Sequence, residues 1–331
     1  MTNTSVFDRL TETVMNSGAT EDEKKEALRN IMELKGKKIN VLITGSTGCG
    51  KSSTINALFN TEKAKVGATP EPETMTIEKY ELENLTLWDS PGLGDGKEAD
   101  NRHANNIIKK LHEPDKDGNP LIDIVLVVLD GGSRDLGTSY QLINEVIIPN
   151  LGVGMTNRIL VAINQADMAM KGRYWNAAEN KPEKPLEDFL KAKAESVKKR
   201  IFEATGVTVE PIYYSAGYKE EGFPQQPPYN LSKLLSYIVI NTPAEKRICY
   251  ADNINRKPEM WKHDDGLSDY KENVLSSMLE SVAGSAKEGS EIGEAIGSCF
   301  GTIGGILGKI GGGLIGGIFG IGKRIFGGLF G

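Results

Sequence analysis

The chain has 331 residues, enough for one large domain with appendages or for two small domains. Its formal net charge of −6 argues against a broad nucleic-acid-binding surface. The three cysteines are far apart, which indicates a reducing compartment and argues against a disulfide framework or a zinc site. The first residues lack a basic segment followed by an apolar core, so we expect no secretory leader and a cytoplasmic location.

The N-terminal segment, residues 1–37, predicts helices. Val6, Leu10 and Val14 share one helical face, and residues 20–23 have the form of a capping box. We interpret this segment as a helical flank that packs on the domain that follows it. A helix for self-association is the alternative.

Residues 38–250 alternate between strand and helix patterns. Strands are predicted at 39–44, 76–82, 85–89, 122–130, 158–164 and 211–215, and helices at 51–59, 98–112, 138–149, 185–205 and 230–240. The runs from Ile122 to Leu129 and from Ile159 to Ile163 are continuously apolar, as in strands covered on both faces of a parallel sheet. This alternation predicts a doubly wound α/β domain with a mostly parallel sheet, which binds ligands at the carboxyl ends of its strands.

The stretch from Val41 to Ser53 predicts a phosphate site. A buried strand leads into the pattern G-x-x-x-x-G-K-S, and a helix follows. Glycines let such a turn point its amide N–H groups at a phosphate. Lys51 would reach the β- and γ-phosphates, and the Ser52 hydroxyl would hold Mg²⁺. The predicted nucleotide-binding residues here are Gly45, Ser46, Thr47, Gly48, Cys49, Gly50, Lys51, Ser52 and Ser53.

Two further motifs follow predicted strands. Asp89 ends a strand and is followed by Ser-Pro-Gly92, so that the acid can hold Mg²⁺ through water and the Gly92 amide can sense a γ-phosphate. Asp167, in Asn164-Gln165-Ala-Asp167, can accept hydrogen bonds from N1 and N2 of guanine, which adenine does not offer. The last strand closes on Ser215-Ala216-Gly217, whose backbone amides could meet the guanine O6.

The order GSTGCGKSS, DSPG, NQAD, SAG resembles the Era/TrmE/septin-like group of GTPases. The stretch from Gly172 to Arg247 is similar to the bacterial, prophage-type YfjP/YeeP subfamily of that group, and the whole resemblance covers roughly residues 37–250. It implies a P-loop fold, binding of GTP and GDP, dependence on Mg²⁺, and hydrolysis of GTP to GDP and phosphate.

The resemblance also assigns roles to residues. Lys51 contacts phosphate, and Ser52 and Asp89 serve the metal. Asp167 reads guanine, Asn164 supports its pocket, and Ala216 lies in the base-binding loop. The first switch corresponds to residues 59–76, where Thr74 is the expected Mg²⁺ contact and Thr69 the alternative. Lys51, Thr74 and Gly92 are therefore the predicted catalytic residues.

Three positions depart from the family pattern. Leu93 occupies the position where Ras-like proteins place a water-orienting glutamine, and a leucine cannot orient water. Gly48 lies where some Era-like enzymes carry a potassium-recruiting asparagine. Gln165 replaces the usual lysine of the base motif. We expect slow intrinsic hydrolysis, accelerated by another chain or by a nearby residue such as Asp95 or Arg102.

The C-terminal tail, residues 291–331, combines sixteen glycines between Gly293 and Gly331 with Ile, Leu and Phe at helical spacing. Repeated G-x-x-x-G in an apolar stretch allows close helix contacts in lipid. Lys309 near its centre disfavours a simple span, and Lys323 and Arg324 suit an anionic surface. Residues 251–290 are expected to form a charged helical connector to this tail.

The leading hypothesis is a nucleotide-switched GTPase that acts on an anionic membrane through residues 291–331, peripherally or inserted at the inner membrane, and forms a homodimer or oligomer through the GTPase domain or the tail. A GTP-dependent ribosome- or RNA-binding factor and a septin-like self-assembling protein are the alternatives. A tail that is disordered, or that assembles without lipid, is also open.

Overall fold

The computed structural model describes residues 5–16, 20–61, 65–67, 77–152, 155–218 and 226–284. Their strands are β1 (Ile39–Gly45), β2 (Lys65–Gly67), β3 (Glu78–Glu81), β4 (Leu85–Asp89), β5 (Ile124–Asp130), β6 (Ile159–Asn164), β7 (Trp175–Asn176), β8 (Lys181–Pro182) and β9 (Ile212–Tyr213). A seven-stranded sheet has the order β2-β3-β4-β1-β5-β6-β9, and β7 and β8 form a separate hairpin. Strands β4, β1, β5, β6 and β9 run parallel, whereas β2 and β3 form an antiparallel edge.

The α-helices are α1 (Val6–Met15), α2 (Glu21–Gly36), α3 (Lys51–Leu58), α4 (Lys97–His112), α5 (Gly137–Gln141), α6 (Lys184–Thr205), α7 (Leu231–Asn241) and α8 (Tyr270–Gly284). Helix α5 continues as the π-helical turn Leu142–Ile147 and the 3₁₀ turn Ile148–Asn150. Other 3₁₀ turns are Thr156–Arg158, Ala166–Gly172, Ala244–Tyr250 and Pro258–Trp261. No helix among these described residues is long and apolar enough to cross a membrane.

The central strands are buried on both faces. In β5, Leu126 and Val128 pack into one hydrophobic cluster, whereas Val127 and Leu129 pack into a second cluster on the opposite face. The first cluster includes residues of α1, α2, α3, α7 and α8, and the second includes residues of α4, α5 and α6. This arrangement explains the continuous apolar runs of the sequence, and it confirms the predicted doubly wound α/β fold.

The segment expected to be a charged connector contributes to the hydrophobic core. Trp261, Val274 and Met278 are almost completely buried, in the same cluster as β1 and the N-terminal helices. The described part of this segment, residues 251–284, contains one 3₁₀ turn and one α-helix, so a continuous helix is not observed there. Because Pro258 has no backbone N–H and Gly266 has φ +65°, the backbone turns between these pieces.

The N-terminal helices α1 and α2 pack against the hydrophobic core. Val6, Phe7, Leu10 and Val14 are buried against the core, at the helical spacing that suggested one packed face. The amide of Val6 donates to the Asp252 carboxylate at 2.8 Å, which joins the start of α1 to the segment after the Ala244–Tyr250 turn. Helices α1 and α2 therefore pack on the domain itself.

Candidate functional site

The glycine-rich turn between β1 and α3 is held by contacts that only glycine permits. Gly48 and Gly50 have φ of +78° and +89°, in the left-handed region that other residues avoid. A side chain at Gly50 would collide with the amide nitrogen of the Asn164 side chain. The turn therefore lies directly against the loop that carries the predicted base motif.

Lys51 is the first residue of α3, and its ammonium group reaches back over the turn. Its Nζ donates to the carbonyl oxygens of Ser46 at 3.1 Å and Gly45 at 3.5 Å. Cys49 is buried, and burial raises the pKa of its thiol to about 11, so this cysteine is a packing residue. The helix N-terminus adds partial positive charge at the same place.

The predicted metal residues are in contact. The Ser52 hydroxyl donates to Asp89 Oδ2 at 2.9 Å, so α3 and the carboxyl end of β4 meet at this pair. Burial raises the pKa of Asp89, and its other oxygen, Oδ1, is buried without a hydrogen-bond partner among the described residues. An unpaired carboxylate oxygen beside a serine hydroxyl is a donor set suited to Mg²⁺, which prefers oxygen ligands.

The segment after Asp89 is pinned to the phosphate turn. The Thr47 amide donates to the Leu93 carbonyl at 2.9 Å, and the Thr47 hydroxyl donates to Asp95 Oδ2 at 3.2 Å. A side chain at Gly92 would collide with the backbone of Thr47. The Leu93 side chain is only 6% exposed and packs in the second hydrophobic cluster. Leu93 thus contributes its backbone to the site and buries its side chain.

A buried histidine contacts the backbone of the segment after Asp89. The sequence did not identify this residue as part of the site. His103 on α4 is 2% exposed, and its Nδ1 lies 2.9 Å from the Gly92 carbonyl oxygen. Because a carbonyl oxygen can only accept, Nδ1 carries the proton. The spacing of His103, Ile107 and Leu111 places all three on the buried face of α4. That periodicity could have shown that His103 points inward.

Asn164 joins the phosphate turn to the base-binding loop. Its Nδ2 donates to the Cys49 carbonyl at 2.9 Å, and its Oδ1 accepts the Ala216 amide at 2.9 Å. Gln165 donates from Nε2 to the Gly48 carbonyl at 2.8 Å. The glutamine that replaces the usual lysine therefore still contacts the phosphate turn.

Asp167 lies in the Ala166–Gly172 turn that follows β6, and its side chain is partly exposed. Within the described part of the chain, its carboxylate has no hydrogen bond or ion pair, which leaves both oxygens available to a ligand. In the neighbouring loop, the Gly217 amide donates to Ser215 Oγ at 3.4 Å. Because Asn164 engages the Ala216 amide, that group would have to leave Asn164 or share its hydrogen to meet a guanine O6.

The structure thus brings most of the predicted site residues to one edge of the sheet. The phosphate turn, Asp89, Gly92 and the base motif all follow the carboxyl ends of parallel strands. Ser53 lies on α3 with its side chain exposed. Thr74 and the alternative Thr69 lie outside the described residues, so the predicted threonine contact remains a prediction.

The parallel sheet, the glycine-rich turn and the order of the following motifs define a P-loop GTPase domain. Residues 40–165 match the model of the family described as 50S ribosome-binding GTPase. The chain is similar to the uncharacterized protein YfjP of Escherichia coli (strain K12), at 30% identity over 131 residues, which cover 38% of this chain and 41% of YfjP. The predicted resemblance to the YfjP type is confirmed.

The chain is also similar to two proteins of other organisms. Translocase of chloroplast 34 of Pisum sativum is 27% identical over 155 residues, which cover 46% of this chain and 48% of that protein. The structure of Toc33 from Arabidopsis thaliana in complex with Mg²⁺ and GMPPNP is 14% identical, with a TM-score of 0.42, and covers 74% of this chain and 99% of that one. The chain matches less than half the length of these curated relatives.

Proposed function

We propose that this protein binds GTP together with Mg²⁺ and hydrolyses it to GDP and phosphate, as a nucleotide-dependent switch. One observation carries the proposal: Asn164 bridges the phosphate turn, through the Cys49 carbonyl, and the base-binding loop, through the Ala216 amide. The two ends of a nucleotide would therefore be held by one connected group of residues. Asp167 supplies the preference for guanine.

At the phosphate end, Lys51 and the amides of the turn neutralise and orient the β- and γ-phosphates. Ser52 and Asp89 would hold Mg²⁺, which when bound draws charge from the phosphate oxygens. Hydrolysis forms a bond between a water oxygen and the γ-phosphorus, and it breaks the bond from that phosphorus to the β–γ bridging oxygen. The Gly92 amide is the group of the following segment that can contact the γ-phosphate, and His103 holds the carbonyl of the same residue.

Hydrolysis by the isolated chain is proposed to be slow. Because the Leu93 side chain is buried, it neither orients nor activates the attacking water. A group supplied by a second chain can accelerate such a site by about 10³–10⁵-fold. Asp95, which already contacts Thr47, and Arg102 on α4 are the candidates within this chain.

The test is phosphate release in single turnovers at increasing protein concentration, with Lys51→Ala as the inactive control. We expect a slow rate in dilute protein that rises as the chain associates. Turnover of several GTP molecules per second by dilute monomer contradicts the proposed slow, assembly-dependent switch. A companion titration compares GDP, IDP and ADP, and we expect IDP to bind more weakly than GDP because it lacks the N2 donor that Asp167 accepts. Equal binding of all three would refute the guanine assignment.

We also propose that residues 291–331, which lie outside the described residues, bring the enzyme to an anionic membrane. The alternating glycines and large apolar residues of the sequence support this proposal. Flotation with anionic liposomes compares the full chain with a chain that ends at Ser290, each with GDP and with a non-hydrolysable GTP analogue. Flotation of only the full chain supports the proposal, and flotation of neither chain overturns it.

Binding to ribosomal particles is the second candidate, because the description of the matching family names the 50S ribosome. Salt-sensitive co-sedimentation of the chain ending at Ser290 with 50S particles would favour it. A septin-like assembler, the third candidate, would scatter light more strongly with GTP than with GDP while hydrolysing little nucleotide.

A further inference from the structure

A second cavity, of about 540 Å³, lies beside the nucleotide site. It is enclosed by the loop after β5, the end of the Ala166–Gly172 turn and the middle of α6. None of its lining residues belongs to the phosphate turn, and neither Asp89 nor Asp167 lines it. Its volume falls within the range of about 300–1,000 Å³ that is usual for small-molecule sites.

The charge of this cavity is strongly one-sided. Five cationic side chains line it, and no carboxylate is among its described lining residues: the cations are Arg134, Lys171, Arg173, Lys193 and Arg200. The carboxylates of the adjacent Asp130 and Asp135 accept hydrogen bonds from the backbone amides of Gly132 and Gly137, respectively. Such a concentration of positive charge in a chain of net charge −6 attracts anions to this place.

Lys193 gives the cavity a rigid wall. Its Nζ donates to the carbonyl oxygens of Asp130, Gly131 and Ser133 at 3.2, 2.7 and 2.7 Å, which uses all three ammonium donors. These bonds tie the loop after β5 to α6. This wall of the cavity is therefore built into the fold, and Arg134, Lys171 and Arg173 are left to face a ligand.

The donors of Arg134, Lys171 and Arg173 remain largely available, whereas Arg200 is hydrogen-bonded to the Tyr140 side chain. Within the described residues, none of them forms an ion pair; Arg173 donates only Nε, to the Met170 carbonyl at 3.3 Å. Arg200 lies 5.5 Å from the centre of the Tyr140 ring, and Phe189 is 40% exposed at the cavity. Arginine forks match phosphate oxygens, and exposed rings can stack on a planar group.

We propose that this cavity is a second ligand site, which takes a nucleotide-sized organic phosphate with its phosphates on Arg134, Lys171 and Arg173 and its planar base against Tyr140 and Phe189. The site is separate from the GTP site and does not depend on hydrolysis. Its lining includes Met170 and Lys171, three and four residues beyond Asp167, so a ligand here would contact the same turn that carries the guanine-reading acid.

The experiment is a calorimetric titration of the full-length chain, saturated with GDP and Mg²⁺, using ADP and inorganic pyrophosphate as probes. We expect saturable one-to-one binding of ADP, at least about fivefold tighter than that of pyrophosphate because of the ring contacts. The variant Arg134→Ala with Arg173→Ala should weaken ADP binding about tenfold. The matched control, Lys191→Ala with Lys199→Ala, removes two charges from α6 outside the cavity. It should change the affinity for ADP by less than about twofold.

Equal weakening in both double variants, or no saturable ADP binding, overturns the proposal. Equal affinities for ADP and pyrophosphate overturn the part played by the rings. Repeating the ADP titration in a Lys51→Ala background separates this site from the phosphate turn, since we expect the affinity to be unchanged there. Because no step needs GTP hydrolysis, failure of this site and failure of the proposed GTPase give different results.

Discussion

Two buried aspartates lie at opposite ends of the same sheet, and they differ in a way that separates structural from functional sites. Asp123, at the amino end of β5, accepts from Lys246 Nζ at 2.7 Å and from the Asn40 amide at 2.9 Å, so both of its oxygens are paired. Asp89, at the carboxyl end of β4, has one oxygen on Ser52 and one buried without a described partner. Burial raises the pKa of both carboxyl groups.

Both aspartates are buried, but their carboxylate oxygens differ in hydrogen bonding. Burial of a charged side chain therefore does not by itself identify a ligand-binding site. A buried charge with all its partners holds elements together, as Asp123 does for β1, β5 and the Ala244–Tyr250 turn. A buried charge with an unused oxygen needs a ligand to complete it. The contrast predicts that substitutions at the amino end change stability, and that substitutions at the carboxyl end change binding.

The largest expected effect is at the amino end. Lys246→Met leaves Asp123 buried without its cation, which should cost about 3–5 kcal/mol of the free energy of unfolding. Because the pKa of Asp123 is raised in the folded state, folding binds a proton there, and the deficit should shrink as the pH falls through that pKa. Urea unfolding at several pH values measures this, with the exposed Lys199→Met as the control. A loss below about 1 kcal/mol would show that the pair is not structural.

The next largest effect is expected at the carboxyl end of the sheet. Lys51→Ala removes the cation of the phosphate turn and should weaken GDP and GTP binding by about 100-fold or more. The circular-dichroism spectrum and the unfolding midpoint should stay close to those of the unchanged protein, because among the described residues the Lys51 ammonium bonds only to carbonyls of its own turn. Unchanged nucleotide affinity would refute the site assignment.

Asp89→Asn and Asp123→Asn compare the two aspartates directly. Asp89→Asn should reduce the gain in nucleotide affinity that Mg²⁺ provides by about tenfold, because the amide lacks the charge that holds the metal. Asp123→Asn should leave that gain unchanged and lower stability instead. The measurement is nucleotide dissociation with and without Mg²⁺, together with thermal unfolding. The same Mg²⁺ response in both variants would remove the distinction between the two ends.

The smallest expected effect tests His103. His103→Ala removes the group that holds the Gly92 carbonyl, and should weaken binding of a GTP analogue relative to GDP by about fivefold, the value of one hydrogen bond of about 1 kcal/mol. Ile107→Ala, one turn further along the buried face of α4, creates a cavity and keeps the hydrogen bond between His103 and Gly92. It should lower stability and leave the affinity ratio unchanged. If both variants change the ratio equally, His103 is only a packing residue.

The sequence was informative wherever a residue's role follows from its neighbours along the chain. The continuous apolar run of β5 predicted a strand covered on both faces, and the spacing of Gly45, Gly50 and Lys51 predicted the turn before α3. Asp89 was found because it ends a strand. These are local patterns with strict geometric requirements, and the structure brings them together as parallel strands must.

What the sequence did not show depends on contacts between distant segments. His103 meets Gly92 from the next helix, and Lys193 closes a cavity against a loop about sixty residues earlier in the chain. The charged composition of residues 251–284 concealed the few large side chains, such as Trp261 and Met278, that pack into the core. Burial of this kind depends on which faces meet, and charge content alone does not reveal it.

The contact between α1 and the segment around Asp252 has a consequence for synthesis. Helix α1 leaves the ribosome before Asp252, which its first amide contacts and which is made about 250 positions later. At typical elongation rates of about 5–20 residues per second, this contact waits on the order of 10–50 s to form. The fold can therefore close only after translation of the GTPase domain is complete, and α1 is a segment that chaperones can reach during that interval.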